Sequence, residues 1–87
     1  MKILSQPIEA AVWFKDKKIP EPIKFRFKDS SDSVSVIKIN KIFECREEKI
    51  AGIRSYVYCC QSIIDDREKI YELKYFIDEC RWVLYKI

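Results

Sequence analysis

Cys45, Cys59, Cys60 and Cys80 have the widest chemical repertoire in this 87-residue chain, because four thiolates suffice to close a tetrahedral zinc site. Their spacing argues against it. Zinc ribbons use Cys-x-x-Cys knuckles that aim two sulfurs at one point, and the sequence has none. On a strand, adjacent Cys59 and Cys60 point to opposite faces. The expectation is buried, reduced thiols, with no metal and no cofactor. Neighbouring carboxylates at Glu47-Glu48, Asp65-Asp66 and Asp78-Glu79 suggest acid–base work. Such chemistry needs two groups converging on a substrate from unlike environments, and all three pairs read instead as solvated turns. The chain contains no histidine, which removes Ser-His-Asp and Cys-His sites. A single glycine, Gly52, removes the phosphate-cradling loops that need several. These exclusions point to a binding domain, not an enzyme.

The residues suited to binding lie in Ile23-Lys24-Phe25-Arg26-Phe27-Lys28, which alternates strictly. Ile23, Phe25 and Phe27 face one way, and three cations project the other. Rigidly held cations suit phosphates. If Lys28 pairs with Val34 across the loop at 29–33, Lys24 faces Lys38. Like charges directly opposed destabilise a sheet unless a bound polyanion or a nearby Glu offsets them. Lys24, Arg26, Lys28 and Lys38 are therefore the candidate nucleic-acid site, and Lys15, Lys17, Lys18 and Lys41 extend it. Trp13, Tyr56, Tyr58, Trp82 and Tyr85 are the rings that stacking on bases would use. A net charge of +3 is compatible with an anionic partner without requiring one. The same charges also suit a solvated face or a guarded sheet edge. The alternative partner is a protein, or a second copy of this chain, joined along an exposed strand edge.

The elements that must hold these residues follow from composition. Ile, Val and the aromatics make up 31 residues, against six Leu and Ala, which favours pleated strands over helices. Strands are expected near 8–14, 23–28, 34–39, 54–64, 71–77 and 81–87. The stretch 54–64 is apolar enough to be central and buried on both faces. Val34 and Val36 hold one phase and Ile37 and Ile39 the other, so that strand buries both faces or carries a bulge. The charged residues 44–49 read as a helical turn or a long hairpin loop. Residues 7–18 also fit a helix capped by Ser5. The expected fold is one all-β domain over 1–87, a small meander of about six antiparallel strands curled into a barrel-like or packed sheet.

At Pro22-Ile23-Lys24-Phe25-Arg26-Phe27, Tyr71-Glu72-Leu73 and Trp82-Val83-Leu84 the chain resembles a family of short all-β bacterial domains of unknown function. Some members of that family are encoded beside Y-family translesion DNA polymerases. The resemblance spans the last three quarters of the chain and departs in the middle, where 44–49 and the paired cysteines replace a Trp-rich stretch. It implies a small β fold and a tilt toward DNA transactions, and carries no catalytic residue across. The amino terminus lacks the long apolar stretch of an export signal, and the longest apolar runs, at 10–14 and 56–60, are five residues. A cytoplasmic protein that does not enter a membrane is expected.

Overall fold

The computed structural model describes residues 1–16, 19–28 and 31–87. Seven antiparallel strands lie among them: β1 (Ile3–Trp13), β2 (Glu21–Lys28), β3 (Val34–Lys38), β4 (Lys41–Ile50), β5 (Ile53–Ile64), β6 (Arg67–Phe76) and β7 (Arg81–Lys86). The all-β expectation holds, with one strand more than expected. The addition is β4, formed where a charged turn or loop was predicted. Its residues pair with β5 through a tight turn at Ala51-Gly52. A strand at a sheet edge tolerates charge on both sides, so 41–50 shows no apolar alternation. Residues 7–13 are strand rather than helix, and β1 begins earlier than the sequence suggested, at Ile3. Lys17 and Lys18 lie outside the described residues.

The sheet order is β3-β2-β1-β7-β6-β5-β4, so a simple meander is interrupted once, where β1 pairs with β7. β3 and β4 occupy the two ends of the sheet yet are joined by Ile39 and Asn40. So short a link forces the sheet to curl until the end of β3 reaches β5. At that corner Asn40 N–H donates to the Gln61 carbonyl at 2.9 Å, Ser62 Oγ donates to the Lys38 carbonyl at 2.7 Å, and Ile63 N–H donates to Asn40 Oδ1 at 3.0 Å. The result is a curled half-barrel.

Its concave face holds the core: Phe25, Ile37, Tyr58, Cys60, Tyr71, Leu73, Tyr75, Trp82 and Leu84. Trp82 lies between Tyr58 and Tyr75, with ring centroids 5.4 and 4.7 Å away. The Tyr58 hydroxyl donates to the Pro20 carbonyl, tying the residue just before β2 to β5. β5 is buried on both faces, as expected, but it stands one strand from the edge rather than at the centre, which β7 takes. On its convex side Val57 is fully buried, paired with Arg46 and Lys74 on the flanking strands. Those long side chains cover apolar surface with their stems. Lys74 lies over the Tyr85 ring at 4.5 Å and approaches Glu48 at 3.9 Å, and Arg46 approaches Glu72 at 3.7 Å.

Two local expectations change. β3 is regular against β2, with Ile37 buried and Val34 and Val36 exposed, so it neither bulges nor buries both faces. The bulge falls instead in β2. Ala11 pairs with Lys24 and Val12 with Pro22, which leaves Ile23 as the extra residue, 42% exposed instead of core-facing. Pro22 is buried beside it, at the kind of irregular position where a strand accepts proline.

Candidate nucleic-acid interface

Phe25 anchors β2 in the core, 5.6 Å from the Tyr71 ring in an edge-on contact, and so turns Lys24 and Arg26 to the convex face. The register predicted from the sequence is the one found: Lys28 pairs with Val34, and Lys24 with Lys38. Ile39 N–H donates to the Ile23 carbonyl at 3.0 Å, which fixes the alternation of bonded and non-bonded pairs along the two strands. Lys24 and Lys38 thus form a non-hydrogen-bonded pair, the type in which Cα atoms approach to about 4.5 Å and side chains are closest. Among the described residues, neither lysine has a carboxylate within ion-pair distance.

Arg26 is different. Its Nε donates to Glu9 Oε1 at 3.1 Å and its terminal amine to Glu9 Oε2 at 2.9 Å, a two-point pair across β1 and β2. These hydrogen bonds, reinforced by the charges, hold the Glu9 carboxyl below its ordinary range and the guanidinium above its own. The nearby Glu that the sequence reading invoked therefore exists, and it relieves Arg26 rather than the lysine pair. Glu9 was legible only as the sole acid in the first strand; its partner depended on a register that the Ile23 bulge sets.

Trp13 lies on the same convex face as Ala11, whose partner is Lys24, and is 60% exposed. It borders a depression of about 420 Å³ whose lining includes Pro22, Ile23, Ile39 and Lys41. The other rings proposed for stacking are less accessible. Tyr58 and Trp82 belong to the core, while Tyr56 and Tyr85 are half-buried, because their alternation placed them in the interior or beneath long cations. Of the extending lysines, Lys15 is paired with Glu21 at 3.5 Å and Lys41 lies over the Phe43 ring at 4.8 Å.

The remaining chemical residues do not converge. Cys59 and Cys60 point to opposite faces, Cys60 fully buried, and burial pushes its thiol up to about 12. Burial likewise raises Cys45 and Cys59. Among the described residues no three His, Cys, Asp or Glu side chains are grouped to hold a metal ion. Asp65-Asp66 and Asp78-Glu79 do lie in turns, the latter paired with Arg54 and Arg81. Glu47-Glu48 instead lies within β4, where successive side chains diverge. No described helix is long and apolar enough to cross a membrane.

No protein-family model matches the chain, and no curated protein or solved structure is similar to it. Its function must be read from this geometry.

Proposed function

We propose that the chain is a non-catalytic binding domain whose convex β2–β3 face takes the phosphate backbone of a nucleic acid with little regard to sequence. The observation that carries this reading is the direct opposition of Lys24 and Lys38 on an exposed face. Like charges so placed cost stability, and a bound polyanion converts the cost into affinity. Lys28 continues the row one register step beyond Arg26, and the exposed Trp13 ring offers a base something to stack on. Arg26 contributes less than the sequence suggested, since Glu9 already satisfies it. The resemblance to domains encoded beside translesion polymerases favours DNA as the polyanion.

The test is an anisotropy titration of labelled mixed-sequence single-stranded DNA, with double-stranded DNA and RNA in parallel. Three phosphate contacts on a single strand give a log–log salt slope of about −2, so a tenfold rise in salt weakens binding about 100-fold. Lys24→Glu is expected to weaken binding by about tenfold or more, and the joint change Glu9→Gln with Arg26→Gln, which removes a neutral pair, to leave it nearly unchanged. Binding should quench Trp13 and spare the buried Trp82. Salt-insensitive binding, or a Lys24→Glu variant that binds like the parent, overturns the assignment.

A further inference from the structure

The bulge in β2 has a second effect, beside the lysine pair. Ile23 precedes Lys24 and Ile39 follows Lys38, and the bond from Ile39 N–H to the Ile23 carbonyl makes these two residues the next rung of the same ladder. Successive rungs are about 3.3 Å apart along a strand. Because Ile23 is the extra residue of the bulge, its side chain is turned out of the core and, with Ile39, walls the depression that Trp13 borders. At about 420 Å³ this depression falls within the range of about 300–1,000 Å³ that takes small-molecule groups. It opens one step from two lysines that lack a carboxylate partner among the described residues.

The lining suits a flat ring with polar edges. Trp13 supplies an exposed aromatic face, and Ile23 and Ile39 supply apolar walls. Asn40 lines the depression as well. Its Oδ1 accepts Ile63 N–H at 3.0 Å, which leaves Nδ2 to donate, and no described residue takes that hydrogen bond. Every nucleobase has acceptors along its edges, so a single donor fits all four without choosing among them. Glu21, the carboxylate in the lining, is engaged by Lys15 at 3.5 Å, which moderates its repulsion of a nearby phosphate.

We propose that this depression is a base subsite: it takes one unstacked base while Lys24 and Lys38 hold the adjacent phosphate, so the domain selects single-stranded over double-stranded nucleic acid. The inference rests on the phosphate-binding reading above and adds to it the strand state of the ligand. In a duplex each base is stacked and paired, and it cannot enter the depression without first being unpaired. Phosphate contacts alone favour the opposite order, because a duplex has the higher charge density and releases more counterions per contact. The bulge is the device that joins the two parts of the site. It moves Ile23 from the core to the wall beside the cations, the kind of re-aimed side chain that bulges provide next to binding sites.

The test compares three probes of about 12 nucleotides in the same low-salt buffer: a mixed-sequence single strand, its duplex, and a chain of abasic residues that keeps the phosphates and lacks every base. The single strand is expected to bind about tenfold more tightly than either of the others, the scale of one base on an aromatic ring. Trp13→Ala should weaken the single strand by about the same factor and leave the abasic chain unchanged. Circular dichroism establishes that the variant is folded, and if it is not, the preference of the parent among the three probes decides. A duplex or an abasic chain bound as tightly as the single strand overturns the subsite and leaves the phosphate reading standing. So does a folded Trp13→Ala variant that binds the single strand like the parent or weakens every probe alike. No salt-sensitive binding to any probe overturns both.

Discussion

Cys60 and Tyr71 carry their protons into the core, and the cost of losing them there is the clearest residue-scale property of the domain. Burial pushes both pKa values up to about 12, from ordinary values of 9.0 and 10.0, and it raises Tyr58 and Tyr75 as well. An acid held above its unfolded value favours the folded state fully below that unfolded value, and the favour is lost as pH climbs to the folded one. Stability is therefore expected to be flat below about pH 9 and to fall between about 9 and 12. Urea midpoints measured across that range test this. Tyr71→Phe should flatten the fall while costing roughly 1 kcal/mol at neutral pH, because the Ser62 hydroxyl, 2.5 Å from the Tyr71 oxygen, loses one partner and keeps the Lys38 carbonyl. An unchanged alkaline slope in that variant would show that Tyr71 is not among the groups responsible. Much at this scale was legible: strict alternation in 23–28 is enough to align Lys24 with Lys38 once the loop is placed. The Arg26–Glu9 pair was not, since it depends on a bulge that moves Ile23 outward without any mark in the local pattern.

At the scale of elements, the β4–β5 hairpin shows how a strand hidden from pattern reading is held in place. Its two-residue turn has φ of 52° at Ala51 and 83° at Gly52, both in the left-handed region. Nothing lies within 4 Å of where a Cβ on Gly52 would sit, so Gly52→Ala should cost about 1 kcal/mol through backbone conformation and not through collision. Ala51 is the less suitable residue. Ala51→Asn is expected to gain roughly 0.5–1 kcal/mol, since asparagine followed by glycine is the favoured pair in such turns. Thermal melts of the two variants should move in opposite directions, and a shift of the same sign in both would exclude this turn geometry. β2 and β6 were readable because one face of each is core and the other polar. β4 was not, because charged side chains serve both its faces, and β3 misled because Val36 and Ile37 suggest two buried faces where one is open.

For the whole molecule, β-branched and aromatic composition was sufficient to indicate the all-β class, and the radius of gyration of 12.7 Å is that of a compact chain of this length, about 12 Å. The strand order was out of reach, because pairing between distant strands leaves no local periodicity. That order has a consequence for folding. Lys2 and Ile87 exchange backbone hydrogen bonds at 2.9 and 3.1 Å, while Ile39 and Asn40 bridge the strands at the two ends of the sheet. Joining 87 to 1 by a short flexible linker and opening the chain between 39 and 40 would make every paired neighbour a hairpin. Such a permutant should keep the same sheet and refold up to about tenfold faster, because its contacts become more local. Stopped-flow refolding measures this, and a slower permutant would mean that the 39–40 corner forms early and guides the rest. In the order of its strands the domain is a cyclic permutation of an up-and-down meander, and where the ends of the chain fall along that cycle is a choice the sheet itself does not make.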